Sequence, residues 1–316
     1  MKKRISLFLA LIMVLMAFTA CAPKAVEESA SDDPEKFVVG YTNLADTDVF
    51  TMSRKEAFIE YTKNDPNLEV VFTDANGDIN RQLDQIDNFI AQKVDAIIIV
   101  PVDYEGIVSG VEKANAAGIP VIALGIASAG GEYTFVGSQN IDAGRLQGEF
   151  MKANLPQNAK ILYLQGTPGL FHSIERLQGF TEACLDQRPD IELLASLPGN
   201  YDRAEGMKIT EDWIQRFPQF DAIIAANDQM ALGALQALKT ANRLDGVMIS
   251  GIDGTTDALN AIKASEMTQS IFQNAKGQAE GAYNVLQMII KGEQPPKEVI
   301  IPFESIVKDN VDNYMK

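Results

Sequence analysis

The sequence predicts an α/β protein made of two similar lobes, each a doubly wound parallel sheet with helices on both faces. Three observations carry this. From Phe37 onward, short β-branched runs alternate with amphipathic helical stretches, the pattern of consecutive βαβ units. Runs such as Ala96–Val100 and Ala222–Ala226 are continuously apolar, so both faces are buried, as in a parallel sheet covered by helices. Nearly ten such strands exceed what one sheet of usual size needs, and the order restarts at Lys160.

Taken in order, the expected strands are Phe37–Tyr41, Glu69–Thr73, Ala96–Val100, Val121–Leu124, Lys160–Leu164, Glu192–Ser196, Ala222–Ala226, Val247–Gly251 and Thr268–Phe272. Helical patterns fall between them at Ile79–Gln92, Tyr104–Ala117, Asp142–Ala153, Ile174–Gln187, Arg203–Phe217, Gln229–Thr240 and Lys276–Ile290. Gly118, in Ala116-Ala-Gly-Ile-Pro120, suits the position just past a helix end. Asp74-Ala-Asn-Gly-Asp-Ile-Asn80 begins like a calcium loop, but Ile79 and Gln85 stand where that loop needs Gly and Glu. It reads instead as a capping loop. Asn227 and Asp253 close two successive apolar strands, at the carboxyl edge where open α/β sheets bind small ligands.

Lys2-Lys3-Arg4 followed by the uncharged run Ile5–Ala20 is expected to be a signal peptide, residues 1–20. The run is shorter than the ~20 residues of a membrane span. Phe18-Thr19-Ala20-Cys21 resembles a bacterial lipobox, which makes Cys21 the expected lipidated first residue of the mature protein, with a plain secretory signal peptide as the alternative. Residues 21–36, small, charged and without periodicity, form the expected tether. Cys184 is then the remaining thiol, so no internal disulfide is expected. The formal charge of −16 becomes −19 once the three N-terminal cations are removed, the wrong sign for a nucleic-acid partner. No phosphate-cradling GxxxxGK[ST] loop occurs, so ATP hydrolysis belongs to another protein.

Four segments, Gly118-Ile-Pro-Val-Ile122, Glu175-Arg-Leu-Gln-Gly-Phe180, Ala226-Asn-Asp-Gln-Met-Ala-Leu-Gly-Ala-Leu235 and Gly251-Ile-Asp-Gly-Thr255, closely resemble the ribose-binding type of periplasmic binding protein. The resemblance spans about Phe37 to Val307. It implies a type I fold with a multi-crossing hinge, an N-terminal lobe of residues 37–138 plus 274–302, and a C-terminal lobe of residues 139–273 plus 303–316. It also implies a sugar held between the lobes, with planar polar groups on its hydroxyls and aromatics on its C–H faces. Matched residue by residue, Asn43, Arg176, Asn227, Asp253 and Gln273 are the polar contacts, and Phe50 and Tyr201 stack on the ring. Asp46 or Thr47 lies in the loop after the first strand. Asp228 is read as a helix N-cap. His172, the one histidine of the sequence, precedes Arg176 and joins the candidate site; no metal or other cofactor is implied.

One departure stands out. Where ribose-type proteins carry an Asp-Arg pair after the fourth strand, this sequence has Gly125 and Ile126. Two charged hydrogen bonds at roughly 1.5–3 kcal/mol each would cost a simple pentose about 10²–10⁴ in affinity. Asp46, Asp48 and Asp103 are candidates to replace the pair, and Ile126 suggests contact with an apolar substituent. Restoring Asp and Arg at 125 and 126 is expected to favour simple pentoses.

The implied function is a lipid-anchored, extracytoplasmic, monomeric carrier that hands a sugar-like ligand to ABC permease subunits. A sensor presenting ligand to a chemoreceptor or histidine kinase is the alternative. A LacI-type repressor shares the lobes but needs a helix-turn-helix where this chain has its basic and apolar N-terminus. An enzyme is not expected, because no nucleophile–base constellation is present.

Overall fold

The apolar runs lie in two separate six-stranded sheets. The protein is described by a computed structural model covering residues 36–315. The expected signal peptide, the lipobox with Cys21 and most of the tether lie outside the described residues. The first sheet is parallel throughout and has the order β11-β5-β4-β3-β1-β2. Its strands are β1 (Phe37–Asn43), β2 (Leu68–Asp74), β3 (Ala96–Ile99), β4 (Val121–Leu124), β5 (Thr134–Gly137) and β11 (Glu298–Ile300). The second has the order β12-β10-β9-β8-β6-β7, with β12 antiparallel to β10 and the other pairs parallel. It contains β6 (Lys160–Gln165), β7 (Glu192–Pro198), β8 (Ala222–Ala225), β9 (Met248–Asp253), β10 (Gln269–Phe272) and β12 (Glu304–Val307). Each sheet with its helices is one α/β lobe.

Three strands escape the apolar pattern. β5, β11 and β12 are three or four residues long, and β11 and β12 have exposed positions along their length. Strands that border solvent need no continuous apolar run.

The helices of the first lobe are α1 (Val49–Thr62), α2 (Ile79–Gln92) and α3 (Val108–Ala116). Those of the second are α4 (Asn140–Asn154), α5 (Phe171–Phe180), α6 (Arg203–Arg216), α7 (Asp228–Thr240) and α8 (Thr256–Lys263). Helix α9 (Ala275–Ile290) returns to the first lobe and packs Ala279, Ala282, Val285 and Leu286 against Val39, Tyr41 and Leu124. Helix α1 has no apolar stripe, because its buried face is Thr51, Arg54, Lys55, Phe58 and Thr62. The helix expected from Tyr104 begins only at Val108: Asp103 Oδ1 accepts from the Glu105 and Gly106 amides and holds a turn there. The stretch expected as Ile174–Gln187 divides into α5 and a π-helical turn, Thr181–Leu185, in which Cys184 is buried. Asp78 caps α2 through the Asn80 and Arg81 amides, which accounts for the calcium-like wording of that loop. Gly118, at φ +75°, closes α3.

Among the described residues the chain passes between lobes three times, from β5 to α4, from β10 to α9 and from β11 to β12. Helices α4 and α5 meet through two glycines. An added Cβ at Gly144 would stand 2.0 Å from the Arg176 carbonyl oxygen, and one at Gly179 would stand 2.1 Å from that of Ile141. This close approach sets the depth of Arg176. Replacement Gly144→Ala is expected to destabilise the protein by about 2 kcal/mol and lower Tm by roughly 4–8 °C, measured by calorimetry.

Candidate functional site

The carboxyl ends of the two sheets face each other across a cleft of about 380 Å³, and away from the crossings Tyr104 of the first lobe stacks on Phe171 of the second, 4.5 Å between centroids. The first lobe supplies its wall from the β1–α1 loop, from α1 and from the segment after β4. Thr47, Asp48 and Phe50 line the cleft, Asp48 also capping α1 by accepting from the Thr51 amide at 2.7 Å.

Asn43 and Asp46, expected to face the ligand, do not line the cleft. Asn43 is wholly buried and donates through Nδ2 to Asp46 Oδ1 at 2.8 Å; Asp46 Oδ2 accepts from Lys55 Nζ at 2.6 Å. Partial burial pushes the Asp46 carboxyl up, but the hydrogen bonds from Lys55 and Asn43 outweigh it and leave it below its ordinary value. The pair braces the loop that carries Thr47 and Asp48. Asp103 is likewise occupied, by its own turn.

Gly125 and Ile126 line the cleft, but the wall beside them is not uncharged. Arg54 reaches it from α1, only 1% exposed, with its guanidinium 5.5 Å from the Phe50 ring centroid. Nη1 donates to Gln278 Oε1 at 2.8 Å, while Nε and Nη2 have no partner. Gly125 adopts φ +79°, and a Cβ there would lie 1.7 Å from Arg54 Nη1. Asp at 125, expected to restore a pentose grip together with Arg at 126, would therefore require the Arg54 guanidinium to move. Any side chain at 125 collides with a guanidinium already in place. Arg54 escaped the sequence reading because it lies inside a helix with no apolar periodicity; the glycine at 125 was its one trace.

The second lobe contributes Arg176, Tyr201, Asn227 and Asp253, with Gln273 from the second crossing. Arg176 is 5% exposed and each of its nitrogens donates once: Nε to Asn140 Oδ1 at 3.1 Å, Nη1 to the Ala226 carbonyl at 2.6 Å, and Nη2 to Gln273 Oε1 at 3.0 Å, leaving one N–H on each of Nη1 and Nη2. Asn227, not Asp228, caps α7. Its Oδ1 accepts from the Met230 amide and its Nδ2 donates to the Tyr201 carbonyl. Asp228 instead turns inward and accepts from the Thr255 amide and from the Thr255 and Ser270 hydroxyls. Burial pushes both Asp228 and Asp253 up; at Asp253 the nearby Arg176 opposes the rise and Asp228 adds to it.

Backbone strain gathers at this wall. Of the eight non-glycine residues with positive φ among the described residues, three line this cleft: Asn200 at +54°, Tyr201 at +60° and Asp253 at +130°. The Tyr201 ring stacks on His172, 5.2 Å between centroids, and Arg176 lies 6.0 Å from its centre. The Tyr201 hydroxyl and His172 Nδ1 are buried without partners. Burial, helped by Arg176 and Arg54, presses the His172 pKa down to about 3, so the ring is neutral near pH 7. Orphaned polar atoms inside a fold are uncommon, and four of them, on Arg54, His172 and Tyr201, belong to side chains lining one cleft.

Two lobes with polar groups converging from both make a cleft suited to holding a ligand. Residues 39–294 match the model of the periplasmic binding protein domain, and the chain belongs to that family of binding proteins. It is 36% identical to a xylitol-binding protein of Mycolicibacterium smegmatis over 94% of this chain and 83% of that one. It is 30% identical to the ribose import binding protein of Bacillus subtilis, over 96% and 98%. A solved ABC transporter solute-binding protein of Bacillus halodurans with bound myo-inositol superposes with a TM-score of 0.85 at 34% identity, covering 90% of this chain and 99% of that one.

Two stability measurements follow from the site. Below the ordinary histidine pKa of about 6.5, the unfolded chain takes up a proton that native His172 refuses, so this residue removes stability as pH falls. Between pH 7 and pH 5 the protein is expected to lose on the order of 1 kcal/mol more than its His172→Asn variant does in urea unfolding. Arg176→Ala strands Gln273, Asn140 and the Ala226 carbonyl, so a loss of about 2–4 kcal/mol without ligand is expected in the same assay.

Proposed function

We propose that this protein is the extracytoplasmic binding component of an ABC importer and that its ligand is a neutral, ring-sized polyol. The observation that carries this is the pairing of charges across the cleft. Two buried guanidiniums, Arg54 and Arg176, stand on opposite lobes, and neither forms an ion pair among the described residues. Three carboxyl groups, Asp48, Asp202 and Asp253, line the same space. Hydroxyls both donate and accept, so a polyol satisfies such a mixed set, whereas an anion would meet the carboxyls. Phe50 and Ile126 from one lobe and Tyr201 and His172 from the other offer apolar surfaces for C–H faces. The relatives that bind xylitol and myo-inositol support the same class.

Binding closes the lobes by its differential affinity for the closed form, which then docks on the permease as a monomer. The lobes comprise residues 37–138 with 274–302 and 139–273 with 303–316. Cys21 anchors the mature chain to the outer face of the membrane through lipid. In this reading Cys21→Ala sends the protein to the soluble fraction; membrane retention of that variant would remove the anchor.

The ligand class is tested by a thermal-shift panel of xylitol, myo-inositol, ribose and glucuronate. A bound polyol at 100 times its Kd stabilises the fold by about 2.7 kcal/mol. A rise in Tm with xylitol or myo-inositol is expected. No rise with either, or a rise with glucuronate alone, would refute the reading. Asp253→Asn, which keeps the shape of the side chain, is expected to weaken the polyol that binds by about 10- to 100-fold in calorimetry.

A further inference from the structure

We propose that Arg54, enabled by Gly125 and oriented by Gln278, is the residue through which this protein selects its ligand, its Nε–Nη2 edge gripping two adjacent hydroxyl oxygens. The inference rests on the polyol reading above and names the group that makes it specific.

One edge of the guanidinium is left over once its scaffold contact is made. Nη1 is engaged by Gln278, but Nε and Nη2, the two nitrogens that point in parallel from one side of a guanidinium, make no hydrogen bond of good geometry among the described residues; the neighbouring Tyr41 hydroxyl is itself left unpartnered. The side chain is 1% exposed, so water does not readily supply an acceptor. A buried cation with half its donors unmet is costly unless a ligand completes it. Vicinal oxygens on a polyol are spaced for such a fork, as are the two oxygens of a carboxylate. Asp48 and Asp253 in the same cleft favour the uncharged diol.

Gly125 makes the arrangement possible. With a Cβ 1.7 Å from Nη1, any other residue at 125 and the present pose of Arg54 exclude each other. The cleft therefore takes its first-lobe cation from α1 instead of from the segment after β4, so the fork reaches the ligand from a different element. Gln278 fixes the angle. It accepts from Arg54 and donates through Nε2 to Ser138 Oγ at 3.0 Å, on the crossing between β5 and α4. It is a positioning residue: it holds Arg54 and does not itself line the cleft.

The test uses the full-length protein with xylitol and myo-inositol as probes, read by calorimetry. Arg54→Lys keeps the charge but loses the planar fork, so a purely electrostatic role would survive it. The expected result is a loss of about 10- to 100-fold in affinity for whichever probe binds, with a similar loss in Gly125→Ala. The two losses should not multiply in the double variant, because both remove the same fork. If Arg54→Lys folds poorly, Gln278→Leu carries the test with an expected loss of about 5- to 10-fold. Binding of a probe by the wild type with less than a threefold change in the Arg54 or Gln278 variant overturns this inference and leaves the polyol reading standing. Binding of neither probe by the wild type overturns both.

Discussion

Two arginines buried on opposite sides of one cleft set the terms for the surrounding structure. Among the described residues neither has a carboxylate partner, so each is held by neutral acceptors, and apart from the Ala226 carbonyl those acceptors lie at the places where the chain passes between lobes. Arg54 is tied to Gln278 on the first turn of α9, and through it to Ser138. Arg176 is tied to Asn140, the first residue of α4, and to Gln273, just before α9. A guanidinium can be kept inside a protein only where enough carbonyl and amide oxygens are gathered around it. Here the segments that join the lobes do the gathering. Ligand chemistry and lobe geometry thus share the same hydrogen bonds.

Several local features are consequences of that arrangement. Gly144 and Gly179 let α4 and α5 approach closely enough to set the backbone of Arg176 beside the second crossing. Gly125 leaves room for Arg54. The left-handed Tyr201 presents its carbonyl to Asn227 and its ring to His172, and the capping of α7 by Asn227 frees Asp228 to tie Thr255 and Ser270 together beneath Asp253. Strain and orphaned polar atoms collect on these walls, as expected where the surroundings hold a site ready for a ligand.

Much of the fold was legible because it is written in periodicity. All nine strands expected from apolar runs lie within the two sheets, and Ile79–Gln92 appears as a helix with those bounds. What was not legible follows a physical rule. β11 and β12 are short edge strands with exposed positions, β5 is buried but its Thr134 and Gly137 leave only Phe135-Val136 apolar, and α1 buries polar side chains. In the site, Phe50, Gly125, Ile126, His172, Arg176, Tyr201, Asn227, Asp253 and Gln273 all reach one cavity, whereas Asn43 and Asp46 turn to each other and to Lys55. Two residues along the β1–α1 loop separate a carboxylate that braces the scaffold, Asp46, from one that lines the cleft, Asp48, and composition does not record it.

The sequence by itself determined the family, the two-lobed parallel architecture and the strand edges that hold Asn227 and Asp253, because backbone pairing and apolar burial are encoded locally, residue by residue. Only the tertiary structure decided what stands opposite them. Arg54 and Gly125 are 71 residues apart in the chain and are matched solely by the space one leaves for the other. A missing side chain at 125 reads as a loss along the sequence. In three dimensions it is the vacancy that lets a distant guanidinium in, since van der Waals exclusion depends on positions and not on order.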